Sequence, residues 1–178
     1  MSDSGSRLVL VRHAKSDYPW GVDDHDRPLN DRGRRDAPAL GAWLDAHVGW
    51  EDEAAARVLV STARRAQVTW ALARAQMSDR WDEAEVHDEE RIYEASVRSL
   101  IDLASEVPAG IRTLVMVGHN PGLSELILTL ARADDLRAEA TVKFPTCAVA
   151  VLVSDLPLTE AVVQSQSFRV AAFAVPRG

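Results

Sequence analysis

Leu8-Val9-Leu10-Val11-Arg12-His13 decides how the rest of the chain is read. An unbroken run of branched apolar residues marks a strand buried on both faces, the kind that fills parallel sheets. A guanidinium and an imidazole follow at its carboxyl end, where open α/β sheets bind their ligands. The pattern returns twice. Arg57-Val58-Leu59-Val60 leads into Ser61-Thr62-Ala63-Arg64-Arg65, and Thr113-Leu114-Val115-Met116-Val117 leads into Gly118-His119-Asn120-Pro121-Gly122. Parallel pairing would bring all these cationic ends to one edge of the sheet.

Helix signals alternate with the strands, which favours a mostly parallel sheet covered on both faces. A first helix is expected from about Asp31 to His47, burying Ala37, Leu40, Leu44 and Val48, with Asn30 as its cap. Pro38 lies far inside it and predicts a kink or a late start. A second helix, from about Arg64 to Met77, would bury Val68, Ala71, Leu72 and Ala75. A third, from about Ser96 to Glu106, would bury Val97, Leu100, Ile101 and Ala104. A fourth begins near Pro121 and would bury Leu123, Leu126, Ile127 and Leu130. The late apolar runs Cys147 to Val153 and Phe168 to Val175 read as strands, antiparallel and near the edge. The loop from Ser16 to Asn30 is long, and loops of that length in a compact domain often serve function.

The whole-chain figures narrow the function classes. At 178 residues a single domain over 1–178 is expected, with a core of useful size. The net charge of -7 opposes a general nucleic-acid binder, which needs a basic face. No apolar stretch is long enough to cross a bilayer, so no membrane partner is expected. Met1 to Ser6 carries no basic segment followed by an apolar one, hence no secretion signal is expected and the cytoplasm is the expected compartment. The single cysteine suits a reducing compartment, and its place at the head of an apolar run reads as a core thiol. The acidic runs Glu51-Asp52-Glu53 and Asp79 to Glu90 read as solvated surface, apart from Glu90. Trp50 and Trp81 are candidate exposed aromatics.

The strand ends carry a definite chemistry. Arg12 and Arg65 offer forked, permanently charged donors suited to a phosphate. His13 and His119 offer two imidazoles. A neutral imidazole attacks phosphorus, and neighbouring arginines favour that neutral form at His13 by lowering its pKa. Asn120 and Pro121 would cap and open the fourth helix, whose free amides attract anions. Charge stabilisation of a moving phosphoryl group would then dominate catalysis. Taken singly, each residue has a plainer reading: Arg12 as a surface ion pair, His119 as a structural imidazole, Gly118 to Gly122 as strand-to-helix punctuation. A dinucleotide site is disfavoured, because no glycine-rich turn follows the first strand. Asp23-Asp24-His25-Asp26 is an unpromising metal site, since neighbours this close rarely converge on one ion.

Leu10-Val11-Arg12-His13-Ala14-Lys15-Ser16 resembles the signature of the histidine phosphatase superfamily, which also holds the cofactor-dependent phosphoglycerate mutases. Ala14-Lys15-Ser16 resembles the SixA-type phosphohistidine phosphatases rather than the mutases. Arg27-Pro28-Leu29-Asn30, Arg32-Gly33 and Phe144-Pro145-Thr146 resemble the same type. Ser61-Thr62-Ala63-Arg64-Arg65-Ala66-Gln67-Val68-Thr69 is similar to the second motif, which selects Arg65 over Arg64 as the phosphate arginine. Val117-Gly118-His119-Asn120-Pro121 is similar to the third. The resemblance implies a three-layer α/β/α sandwich of phosphoglycerate mutase type. It implies His13 as nucleophile, with Arg12, Arg65 and His119 around the phosphoryl oxygens, and it implies no metal and no other cofactor. Glu90, in Glu90-Arg91-Ile92-Tyr93, resembles the mutase-like general acid, with Glu89 as competitor. Lys15, Arg27 and Asn120 are expected substrate-binding residues.

Fewer than twenty residues separate Tyr93 from Arg112, mostly one helix. That leaves no room for the helical insertion that roofs the mutases, so a minimal fold with a shallow, open pocket is expected. Such a pocket favours phosphohistidine on a partner protein as substrate. The alternatives are a small phosphate ester, such as a sugar phosphate or nucleotide with Tyr18 and Trp20 packing on it, and a module that binds a phosphoprotein without turning it over.

Overall fold

A computed structural model describes residues 5–49 and 55–178. The reading of Met1 to Ser4, Trp50 and Glu51-Asp52-Glu53 therefore lies outside the described residues. The centre is one six-stranded sheet: β1 (Ser6–Arg12), β2 (Ala55–Ser61), β3 (Glu85–Glu89), β4 (Ile111–Gly118), β5 (Val149–Ser154) and β6 (Arg169–Ala174). The order across it is β3-β2-β4-β1-β5-β6. The first four neighbours pair parallel, β5 runs antiparallel to both β1 and β6, and β6 forms an edge. The expected pair of antiparallel late strands is thus one reversed strand, β5, followed by a β6 that resumes the direction of β1.

Strand alternation builds the two cores. Leu8 and Leu10 of β1, Leu114 and Met116 of β4, and Ala150 and Leu152 of β5 face one side. There they meet α3 (Val97–Ser105), α4 (Gly122–Leu130) and the short α6 (Leu158–Ala161). Val9 and Val11, Val58 and Val60, and Val115 and Val117 face the other side, under α1 (Asp31–His47) and α2 (Arg64–Arg74). Period-two alternation within continuous apolar strands is what a sheet covered by helices on both faces requires. The result is the expected three-layer α/β/α sandwich. Between Tyr93 and Ile111 the chain holds α3 and no further helix, so no large helical cap is present there.

The helices differ from expectation in instructive ways. α1 begins at Asp31, where the Asn30 side chain accepts from the Gly33 amide at 2.9 Å, and it runs on through Pro38 rather than starting late. α4 buries Leu123, Leu126, Ile127 and Leu130 as its spacing predicts, but Asn120 does not cap it; Pro121 holds that position. α2 buries Arg65, Ala66, Thr69, Trp70 and Ala73, a face rotated away from the expected Val68, Ala71, Leu72 and Ala75. The cause is polar: Arg65 and Thr69 are drawn inward by partners at the sheet edge. Small residues then let α1 and α2 close up, for a Cβ on Gly41 would collide with the backbone of Ala73. Trp81 is buried against Trp70 and donates to Asp45 at 3.1 Å, which corrects its reading as an exposed aromatic. α5 (Asp135–Val142) and the polar edge strand β3 have no counterpart in the sequence reading.

Candidate active site

Register delivers the two imidazoles. Arg12 of β1 stands opposite Gly118 of β4, so His13 and His119 leave adjacent parallel strands at the same level. Their ring centroids are 5.1 Å apart, tilted by 50°. The His13 amide donates to the Gly118 carbonyl at 3.1 Å, and the Ala14 amide donates to Thr69 Oγ1 at 2.9 Å. Thr69 in turn donates to the Arg65 carbonyl at 2.6 Å, so α2 is tied to the end of β1 beside the nucleophile candidate.

His13 is only 7% exposed. Its Nδ1 lies 2.7 Å from the Ala14 carbonyl, which can only accept, so Nδ1 carries the proton and Nε2 keeps its lone pair. Burial pushes the His13 pKa down to about 3, with His119, Arg65 and Arg12 adding repulsion. His119 is held by Nε2 at 2.8 Å from Ser61 Oγ. Burial, then Arg65, pushes its pKa down to about 4. Both rings are neutral at physiological pH, the state a nucleophile needs.

The arginines come from two directions. Arg12 donates to the Phe144 carbonyl at 2.8 Å, from the loop that precedes β5. Arg65 lies one residue into α2, is 6% exposed, and donates through Nη1 to the Asp24 carbonyl at 2.6 Å and through Nη2 to the Asp24 carboxylate at 3.0 Å. Arg64 is exposed. The structure therefore gathers Arg12, His13, Arg65 and His119 around one point, the quartet expected from the strand ends. Arg12 Nε and His119 Nδ1 are buried without a hydrogen-bond partner. An unsatisfied buried polar group costs about 1–3 kcal/mol, so these atoms suit an incoming oxyanion.

The outer residues divide. Arg27 is buried and braces the loop by donating to the Asp17 carbonyl at 2.9 Å, Ser16 Oγ at 2.6 Å and Asp24 Oδ1 at 2.7 Å. Asn120 donates to the Phe144 carbonyl at 3.1 Å, the same oxygen that receives Arg12. Lys15 is half-buried, with its ammonium 5.8 Å from the Tyr18 ring. Glu90 is exposed at the first turn after β3, with no hydrogen bond or ion pair to the quartet among the described residues. Glu89 is locked by Arg91, whose hydrogen bonds hold its carboxyl below the usual range, which suits an ion pair rather than a proton donor.

Four site residues escaped the sequence reading. Asp24 joins Arg65, Arg27 and the Tyr93 hydroxyl, the last at 2.8 Å, and these donors, Arg27 foremost, hold its carboxyl far below the ordinary value. Tyr93 stands edge-on to His119 at 5.6 Å and to His25 at 4.9 Å. Ser61 and Thr69 complete the set. Ser61 and Thr69 had a signal in the second motif; Asp24 was legible only as one of several loop acids. Among the described residues no group of three or more His, Cys, Asp or Glu is arranged to hold a metal ion, and no helix is long and apolar enough to cross a membrane. Cys147 is buried, its thiol pushed up to about 12 first by burial, and it packs in the core as expected.

The family model of the histidine phosphatase superfamily (branch 1) matches residues 8–109. The uncharacterized protein Rv1276c of Mycobacterium tuberculosis is 39% identical over 146 residues, covering 80% of this chain and 85% of that one. Among solved structures, a SixA protein from Nakamurella multipartitia superposes with a TM-score of 0.81 at 28% identity, covering 97% of this chain and 96% of that one. The protein histidine phosphatase SixA complexed with tungstate gives a TM-score of 0.70 at 20% identity, covering 96% of this chain and 97% of that one, a likeness of fold.

Proposed function

The chain belongs to the histidine phosphatase superfamily, and from that premise we propose that it removes phosphoryl groups through a covalent intermediate on His13, with phosphohistidine on a partner protein as substrate. The observation that carries the reading is the neutral His13 imidazole, proton fixed on Nδ1, standing 5.1 Å from His119 and flanked by the buried Arg65 and the half-buried Arg12.

The steps balance on these residues. His13 Nε2 attacks phosphorus while the bond from phosphorus to the substrate imidazole breaks. That nitrogen leaves with the bonding pair and takes a proton from solvent water. Arg12, Arg65 and His119 hold the equatorial oxygens as charge spreads over them. Water then attacks phosphorus as the bond from phosphorus to His13 Nε2 breaks; the bonding pair returns to Nε2, the proton of the water passes to solvent, phosphate departs, and His13 is neutral again. Arg27, Lys15 and Asn120 support the rim, Arg27 and Asn120 by fixing Asp24 and the Phe144 carbonyl. Glu90 is assigned the proton for ester substrates, whose oxygen leaving group needs one more than a phosphoramidate does. The missing helical roof supports a macromolecular substrate, because little covers the rim of the pocket from the α3 side.

The test is single-turnover kinetics on a phosphohistidine-bearing protein and on a panel of small phosphate esters, with His13→Ala as control. A far higher kcat/KM for the phosphoprotein is expected. A far higher value for an ester rejects the protein substrate.

A further inference from the structure

The loop between β1 and α1 holds the phosphate arginine from one side and displays bare apolar side chains on the other. Trp20 is 100% exposed, Tyr18 71% and Val22 39%, all within one short stretch. Lone exposed aromatics are common, but a run of them beside a reactive site marks a contact surface. The stretch is anchored at its base. Ser16 bridges Leu29 across the loop's base, the Asp17 amide donates to the Pro28 carbonyl at 2.9 Å, and the Arg27 guanidinium lies 3.4 Å from the Tyr18 ring centre. Gly21, with φ of 75°, sits in the left-handed region that a glycine adopts without strain, and it turns the chain immediately after Trp20. A loop anchored in this way costs less to order on binding than a free one.

Resting on the function proposed above, we infer that Trp20 and Val22 form a docking surface for the protein that carries the phosphohistidine, a partner whose face beside that residue is apolar and edged with basic side chains. A fully exposed indole has no pocket walls of its own, so it cannot enclose a small ester; it needs a partner that brings the complementary surface. Continuity fixes which partner. Asp24, in this same loop, grips Arg65 by both its carbonyl and its carboxylate, so a phosphoryl group seated on Arg65 places its carrier against the loop. Charge fixes the edge: Asp17, Asp23 and Asp26 are exposed around the apolar residues.

The experiment compares Trp20→Ala and Asp23→Lys with the wild type. The probes are chemically phosphorylated histidine phosphotransfer domains with lysine or with glutamate flanking the phosphohistidine, and free phosphohistidine amino acid. Both variants should raise KM at least fivefold for the lysine-flanked domain, and leave kcat/KM for free phosphohistidine within twofold. The wild type should prefer the lysine-flanked domain to the glutamate-flanked one. An unchanged KM on both domains, or an equal loss on the free amino acid, overturns the docking surface. A wild type that hydrolyses no phosphohistidine probe instead overturns the function on which the inference rests.

Discussion

Acidification should expose the histidine pair through stability, independently of any substrate. Each ring has its native pKa below the ordinary 6.5. The unfolded chain therefore binds protons first, and stability falls as pH drops through 6.5 towards the native values. With about 3 for native His13, the loss between about pH 8 and about pH 4.5 is roughly 2.5 kcal/mol, and with about 4 for His119 it is nearly the same. Together they approach about 5 kcal/mol, a large share of the stability of an ordinary domain. The assay is urea unfolding at both pH values for the wild type, His13→Gln and His119→Gln. Each variant, lacking one titrating ring, should lose roughly 2 kcal/mol less than the wild type on acidification. Equal losses in all three would refute the claim that burial and arginine charge keep these rings neutral.

Other outcomes follow from particular contacts. Arg65→Lys should lower kcat about a hundredfold, because an ammonium cannot hold both the Asp24 oxygens and a phosphoryl oxygen in one plane; steady-state kinetics on any good substrate reads it. Glu90→Gln should lower turnover of phosphate monoesters at least tenfold and that of phosphohistidine less; an unchanged ester rate removes Glu90 from the mechanism. Gly41→Ala should destabilise by about 1–3 kcal/mol, since the new methyl meets the Ala73 backbone and α1 must move off α2; thermal unfolding measures it.

The strands that carry the quartet were legible because β1, β2 and β4 each hold an unbroken apolar run, Leu8 to Val11, Val58 to Val60 and Leu114 to Val117, and a sheet buried on both faces demands that. The α4 stripe was legible for the same reason. α2 was misread because its inner face holds an arginine and a threonine, whose partners lie far off in the chain at the ends of β1 and in the loop before α1. β3, Glu85-Val86-His87-Asp88-Glu89, escaped because it is exposed along most of its length and owes its shape to backbone pairing with β2. α5 buries only Ala140 and gives no stripe to see. Asp24 could not be singled out among Asp23, Asp24 and Asp26, because its distinction is purely spatial: it alone reaches Arg65, Arg27 and Tyr93 together.

The central claim, that His13 takes the phosphoryl group itself, is tested most directly by rapid-quench labelling with a 32P phosphodonor followed by peptide mapping. The account predicts an acid-labile label on the peptide holding His13, formed and lost at rates consistent with turnover and absent from His13→Ala. Turnover with no labelled protein, or a label on His119 or His25 that persists in His13→Ala, would contradict it.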